Sequence, residues 1–276
     1  MRDSPLIGRI ERDGWVRVPA AVDASQLAAV SKWLADNTKS ALQLVRMQVE
    51  REPSGAVRKV RRLLWADPDF WSSWIVASGL STLVADVIGQ EAQLLKHSAF
   101  LKSPGAEPVG FHQDGALWGE TVPGALSFWV PLESAGPDNG GLLMATGSHV
   151  NGLIRHTESG DHPWHPVVDV DAVGLAIDSV SAEPGDVVIH SPFIVHGSGL
   201  NSSSGSRQAT VFTFFPPLPS EGARPLLESP VSLEEIQAEV RGDRRPENAR
   251  PLSRQKGRLD GARSLRRAAY LTRPTP

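Results

Sequence analysis

Ala125-Leu126-Ser127-Phe128-Trp129-Val130-Pro131-Leu132 is the run from which the fold can be read. Leu126, Phe128, Val130 and Leu132 alternate with Ser127 and Trp129, and a period of two marks a strand whose two faces meet different surroundings. One face is expected to meet an outer layer of helices and the other to line an interior. The chain on both sides, from Ala92 onward, repeats this pattern as short extended runs broken by Gly, Pro and Asn. Residues 94–102 read as a strand, followed by the turn Ser103-Pro-Gly-Ala-Glu-Pro and the extended segment 109–115. Pro137-Asp-Asn-Gly-Gly141 precedes Leu142-Leu-Met-Ala, Glu183-Pro-Gly-Asp186 leads into Val187-Val-Ile-His190, and 209–215 is a last β-rich run. Short strands punctuated in this way predict a mainly β fold of the jelly-roll kind, with flanking helices.

Those helices come first in the chain. After the Asp13-Gly14 turn, Trp15-Val16-Arg17-Val18 suits a short strand, and Asp23 or Ser25 can cap a helix carrying Leu27, Val30 and Leu34 at helical spacing. Leu80, Leu83, Val84, Val87 and Ile88 form a second such face, which ends on Gly89. Trp65, Phe70, Trp71 and Trp74 crowd one region and are expected to be core. Between Lys39 and Lys59 no clear period is visible, and Arg58-Lys59-Val60-Arg61-Arg62 reads as a solvated face.

Composition narrows the chemistry. At 276 residues and 40% hydrophobic, the chain can bury a substantial core. A net charge of -3 gives no sign of a nucleic-acid or membrane partner. The absence of cysteine excludes disulfides, thiolate zinc sites and a cysteine nucleophile, so any metal must be held by His, Asp and Glu. Met1-Arg-Asp-Ser-Pro lacks a signal pattern and no apolar run could span a bilayer, so a soluble cytoplasmic protein is expected.

In an extended segment His112 and Asp114, two residues apart, point the same way and can grip one ion. His196 offers a third ligand, and two His with one carboxylate suit non-haem iron. His97, His156, His162 and His165 receive no ligand role. His149 and Asp186 read as residues that fix turns, and so do Asn201 and Ser202. Arg207, eleven positions after His196, presents a planar fork that matches a carboxylate with two hydrogen bonds. A hairpin between the two would bring them together, and Ser198 would face the same pocket.

Phe111-His-Gln-Asp-Gly, Asp138-Asn-Gly-Gly-Leu142, Gly147-Ser-His149, Glu183-Pro-Gly-Asp186 and His196-Gly-Ser-Gly-Leu-Asn201-Ser-x4-Arg207 together resemble the phytanoyl-CoA dioxygenase family of Fe(II)/2-oxoglutarate-dependent oxygenases. The resemblance implies a double-stranded β-helix (cupin-like) core, with iron held by His112, Asp114 and His196. It implies 2-oxoglutarate and O2 as cosubstrates, with Arg207 on the far carboxylate and Trp129 and Lys102 as further pocket residues. Under it the chain is a single catalytic domain over 1–276. A mainly helical part (1–91) packs on the β-helix core (92–216), and a basic C-terminal extension (217–276) is expected to be partly disordered. From residue 241 that extension has eleven Lys and Arg against three acidic residues and reads as a solvated tail.

The reaction so implied is oxidation, by default hydroxylation, of an unactivated C–H bond, with 2-oxoglutarate decarboxylated to succinate. Asp114 argues against a halogenase, whose relatives carry a small residue there. Gln113, Leu117, Trp118, Phe193 and Trp164 are the expected substrate contacts, a set that suits a hydrophobic secondary metabolite. The alternatives are an epimerisation, cyclisation or desaturation outcome, an acyl-CoA substrate, a cupin working without 2-oxoglutarate, or a non-catalytic ligand-binding β-barrel.

Overall fold

The computed structural model describes residues 4–39, 47–118, 122–158, 165–217 and 230–241. Two antiparallel sheets face each other. The larger contains β1 (Trp15–Val18), β2 (Gln48–Arg51), β3 (Val57–Arg61), β4 (Gln93–Lys102), β6 (Leu126–Pro131), β9 (Val187–His190) and β11 (Arg207–Phe215), in the order β1-β9-β6-β11-β4-β3-β2, with β12 (Val231–Ser232) also paired to β4. The smaller contains β5 (Val109–His112), β7 (Leu142–Met144), β8 (Asp178–Val180) and β10 (His196–Ser198), in the order β5-β10-β7-β8. Strands that alternate between two facing sheets form a jelly roll.

Helices cover the outer face of the larger sheet. They are α1 (Pro5–Asp13), α2 (Leu27–Asn37), α3 (Leu63–Ala66), α4 (Pro68–Ala77), α5 (Leu80–Val87) and, near the C-terminal end of the described chain, α7 (Leu233–Arg241); the short α6 (Asp114–Trp118) follows β5. Val30, Leu34, Trp71, Ile75, Val84 and Ile236 pack there against Phe128, Val130, Ile189, Phe212 and Phe214. The predicted alternation of 126–132 is therefore present, since Phe128 and Val130 meet helices while Trp129 turns inward against Met144, Val188 and Ala209. The crowded aromatics are core as expected. Trp71 meets Trp33 at 5.1 Å and Phe70 at 5.0 Å edge-on, and Trp74 stacks on Phe212 at 5.6 Å.

Within the sheets the structure departs from the sequence reading in three places. The poorly patterned stretch after Lys39 includes β2 and β3, a hairpin that extends the larger sheet. The basic cluster lies in β3 and is not a solvated face. Arg58 is only 4% exposed and pairs with Glu50 at 3.0 Å and Glu52 at 3.5 Å. Strand periodicity is hidden there because the inward positions are charged and Val57 and Val60 alone supply the apolar beat. Finally, β10 and β11 do not form a hairpin, because they belong to opposite sheets. The segment between them crosses the interior edge, and Asn201 pins it by donating to the carbonyls of Lys102 (3.0 Å), Ser103 (3.1 Å) and Gly205 (2.9 Å).

Candidate active site

His112 ends β5 and His196 begins β10, and the two are register partners across the smaller sheet. Asp114 does not continue the strand. It opens α6, so its approach to His112 comes from a strand-to-helix turn and not from strand alternation. One ligand atom from each of the three lies within 4.8 Å of the others, a spacing that can hold one metal ion. Gly197 lets β10 lie close to β5, because a Cβ there would come 2.6 Å from the Val109 carbonyl.

The donors are prepared for a metal. The His112 Nδ1–H donates to the Gly110 carbonyl (2.8 Å) and the His196 Nδ1–H to the Ile194 carbonyl (3.1 Å), which leaves Nε2 of each ring as the free lone pair. Burial, with the neighbouring His165 and His196, pushes the His112 pKa well down, so the ring is neutral. Burial opposes ionisation of Asp114, but His196, Lys96, His190 and Lys59 outweigh it and hold the carboxyl below its usual range. Ser127, on the inward face of β6, donates to Asp114 at 3.4 Å.

Gln113 corrects the expected substrate contact. It is fully buried, and its amide donates to the carbonyls of Gly152 (2.7 Å) and Phe193 (2.5 Å) while accepting from the Ile154 N–H (2.7 Å). Its own N–H donates to His156 Nε2 at 3.0 Å. Every polar atom of the side chain is committed to clamping two loops behind the metal ligands, so none is left for a substrate. Of the other expected contacts, Leu117 packs against Leu95, Val122, Ala125 and Phe215. Phe193 lies over Gly115, with a ring carbon 3.7 Å from where a Cβ would stand. The Trp118 side chain and the whole of Trp164 lie outside the described residues.

A second polar cradle opens beside the metal ligands. Ser198 shares the His196 face of β10, and its Oγ is buried without a partner. Arg207, 2% exposed, sits under Trp129 with its guanidinium carbon 5.7 Å from the ring centroid. One of its terminal nitrogens donates to the Gly140 carbonyl, while Nε is buried and unpaired. Burial lowers the Arg207 pKa to about 10, which still leaves it cationic at neutral pH. A buried hydroxyl and a buried guanidinium N–H, each without a protein partner, are groups that suit a carboxylate, so the residues fit the far end of 2-oxoglutarate. Lys102 borders this pocket as the register partner of Arg207, but its ammonium already donates to the carbonyls of Glu107 (2.9 Å) and Gly199. Two of its three N–H bonds are therefore spent on bracing the backbone around the cradle. A Cβ on Gly140, whose φ is +74°, would come 2.7 Å from the Lys102 side chain.

Two further histidines reach the metal ligands. The His165 ring lies 4.3 Å from that of His112, and the His190 ring on β9 lies 4.7 Å from that of His196. Neither is marked in the sequence as lying beside the metal ligands, because contact between separate strands and loops carries no local signal. Burial is the first cause of the lowered pKa values of His97, His112, His156, His165 and His190, and it brings His165 and His190 to about 4. Below about pH 6.5 the unfolded chain binds protons that these folded rings exclude, so stability falls as pH falls. Each fully excluded proton is worth about 1.4 kcal/mol per pH unit. Denaturant titration of metal-free protein should therefore give a clearly lower midpoint near about pH 5.5 than near about pH 7.5. Equal midpoints would contradict this burial.

A jelly roll that brings two His and one carboxylate together has the donor set that suits non-haem iron. Residues 10–209 match the family model for phytanoyl-CoA dioxygenase (PhyH), and the chain belongs to that family of Fe/2-oxoglutarate-dependent dioxygenases. A probable phytanoyl-CoA dioxygenase from Caenorhabditis elegans is 35% identical over 86 residues, which is 29% of this chain and 27% of that protein. Across the first four curated relatives, the matched part spans from 27% to 64% of their length. Among solved structures, the epimerase SnoN in complex with Fe3+, alpha ketoglutarate and nogalamycin RO superposes with a TM-score of 0.58. It is 22% identical, over 80% of this chain and 91% of that one. The alpha ketoglutarate-dependent carbocyclase SnoK from nogalamycin biosynthesis gives 0.62 at 17% identity, over 83% and 96%. At these identities the likeness establishes the fold. Among the described residues no helix is long and apolar enough to cross a membrane.

Proposed function

We propose that this chain is an Fe(II)/2-oxoglutarate-dependent oxygenase that oxidises a C–H bond of a small metabolite. In this reading His112, Asp114 and His196 hold the iron, and Arg207 with Ser198 holds the far carboxylate of 2-oxoglutarate under Trp129. The observation that carries it is a preset His-Asp-His cluster together with a buried guanidinium N–H and a buried hydroxyl that have no protein partner, contributed by strands of the two facing sheets. A binding barrel has no need of both.

Iron with 2-oxoglutarate supplies the oxidising chemistry, coupling decarboxylation to succinate and CO2 with oxidation of the substrate. The protein contributes position and charge. His112, Asp114 and His196 would hold the metal with three protein donors, a set that would leave positions open for cosubstrates. Arg207 and Ser198 would hold one carboxylate of 2-oxoglutarate and so restrict its orientational freedom. The surrounding buried walls exclude bulk water and strengthen these contacts.

Hydroxylation is the default outcome. Epimerisation or ring closure stands as the second reading, favoured by the fold shared with an epimerase and a carbocyclase. Purified protein with Fe(II), O2 and 2-oxoglutarate should form succinate slowly without substrate, measured by NMR. No succinate above the metal-free control, together with no Fe(II) affinity, would overturn the proposal.

A further inference from the structure

The helix layer stops short of one corner of the larger sheet. α2 ends at Asn37, and beyond it a cavity of about 480 Å³ opens between the end of that helix and residues of β2, β3, β4 and β11. Its floor includes Val57 and Leu101, which are half-buried against the helix-facing core. Gln208, the register partner of Leu101, shares its face of β11 with Thr210 and Phe212. The floor is therefore the outer side of the strand pair whose inner side carries Lys102 and Arg207. The sheet stands between this cavity and the metal ligands, so a molecule held here does not meet them.

The rim of the cavity is cationic. Lys39 and Arg51 line it, and neither makes an ion pair among the described residues. Arg51 donates to the Gly55 carbonyl across the hairpin turn (2.8 Å), which steadies the guanidinium and leaves its other N–H groups for a ligand. Among the described residues no Asp or Glu lines the cavity. The negative end of α2 lies here as well, but Asn37 and Thr38 donate to the carbonyls of Trp33 (2.8 Å) and Leu34 (2.6 Å) and so cover it. Ser103 and Ser206 add hydroxyls, and the side-chain oxygen of Gln208 is buried without a partner. Such an acceptor is costly until a donor reaches it. Two unpaired cations, two hydroxyls and an unmet acceptor around an apolar floor are complementary to a small organic anion.

We propose that this cavity is a second binding site, for a small organic dianion whose charged group, a phosphomonoester or a pair of carboxylates, meets Lys39 and Arg51 while its apolar body rests on Val57 and Leu101. The occupant is neither 2-oxoglutarate in its cradle nor the molecule oxidised, because the sheet separates it from both. It sits next to the cradle in sequence all the same, since Ser206 and Gln208 flank Arg207. The inference goes beyond the oxygenase reading and does not rest on it.

The test uses the full chain loaded with redox-silent Zn(II) and excess 2-oxoglutarate, with binding followed by ligand-observed NMR. The probes are phenyl phosphate and phenylmalonate, each against its neutral dimethyl ester, with inorganic phosphate as the anion that lacks an apolar body. At least one charged probe should bind about tenfold more tightly than its ester, and its affinity should fall as salt is added. Lys39→Met and Arg51→Met should each weaken it by about threefold, because exposed charges are partly screened, and the double variant by about tenfold. Arg51→Lys keeps the charge and should stay within about twofold of the native protein. Both sites are at the surface, so the variants are expected to fold. Raising 2-oxoglutarate tenfold should not displace the probe. No binding of either dianion, equal binding of the esters, or an unchanged double variant would overturn the proposal. So would displacement by 2-oxoglutarate, or inorganic phosphate binding as tightly as phenyl phosphate, which would reduce the cavity to a patch of charge.

Discussion

His112→Ala is expected to remove succinate formation below detection while leaving a folded protein. His112 supplies one of three ligand atoms, and its ring lies between those of His165 and His196, 4.3 Å from each. Losing even an outer partner of a metal ligand costs about 10- to 100-fold in affinity, so losing a ligand should cost at least about a hundredfold. The fold should survive, because His112 ends β5 and donates only locally, to the carbonyl of Gly110. In metal-free protein the variant also lacks one buried base, so its stability should depend less on pH by about one proton. Iron titration followed by a succinate assay reads the first effect, and denaturant midpoints at two pH values read the second. Full turnover in His112→Ala would remove the metal assignment.

Arg207→Ala should raise the Kd for 2-oxoglutarate by about a hundredfold while leaving metal affinity nearly unchanged. The guanidinium is almost fully buried, and its Nε has no protein partner, so its energy is realised only when a carboxylate arrives. Truncating one member of a buried hydrogen-bonded charge pair costs about 2–5 kcal/mol. Arg207→Lys keeps the charge but not the fork and should recover only part of this. The alanine variant has a second cost, because it leaves the Gly140 carbonyl without its donor and Glu133 without a neighbouring cation. Folding should therefore be checked alongside binding, for which isothermal titration of the Zn(II)-loaded protein suffices. An oxidase that works without 2-oxoglutarate would keep its activity in Arg207→Ala, and that result would move the chain to a different chemistry.

The parts that sequence made legible share a physical basis. The alternation in 126–132 could be read because its outward residues are apolar and its inward ones are not, and this is what the two layers of the fold require. His196 could be read as a partner for His112 and Asp114 because two His and a carboxylate form a known ligand set, and the three do meet, although the connection from His196 to Arg207 crosses between sheets. β2 and β3 were missed because strands that face a polar interior carry charges where a pattern reader expects apolar residues. Gln113 was misread for a related reason. Its place between two ligands suggests a pocket residue, and only the tertiary structure shows its amide closed by Gly152, Ile154 and Phe193. His165 and His190 reach the site through contacts between distant segments, which no local spacing reports.

The central claim is that the His-Asp-His cluster and the Arg207 cradle act as one iron and 2-oxoglutarate site. The most direct test is anaerobic titration of 2-oxoglutarate into the Fe(II)-loaded protein, watching the visible metal-to-ligand charge-transfer band that chelation of iron by a keto acid produces. The account predicts a saturable band that requires His112 and Asp114 and shifts to much higher 2-oxoglutarate concentration in Arg207→Ala. No band at saturating iron and 2-oxoglutarate, or a band indifferent to Arg207, would contradict it.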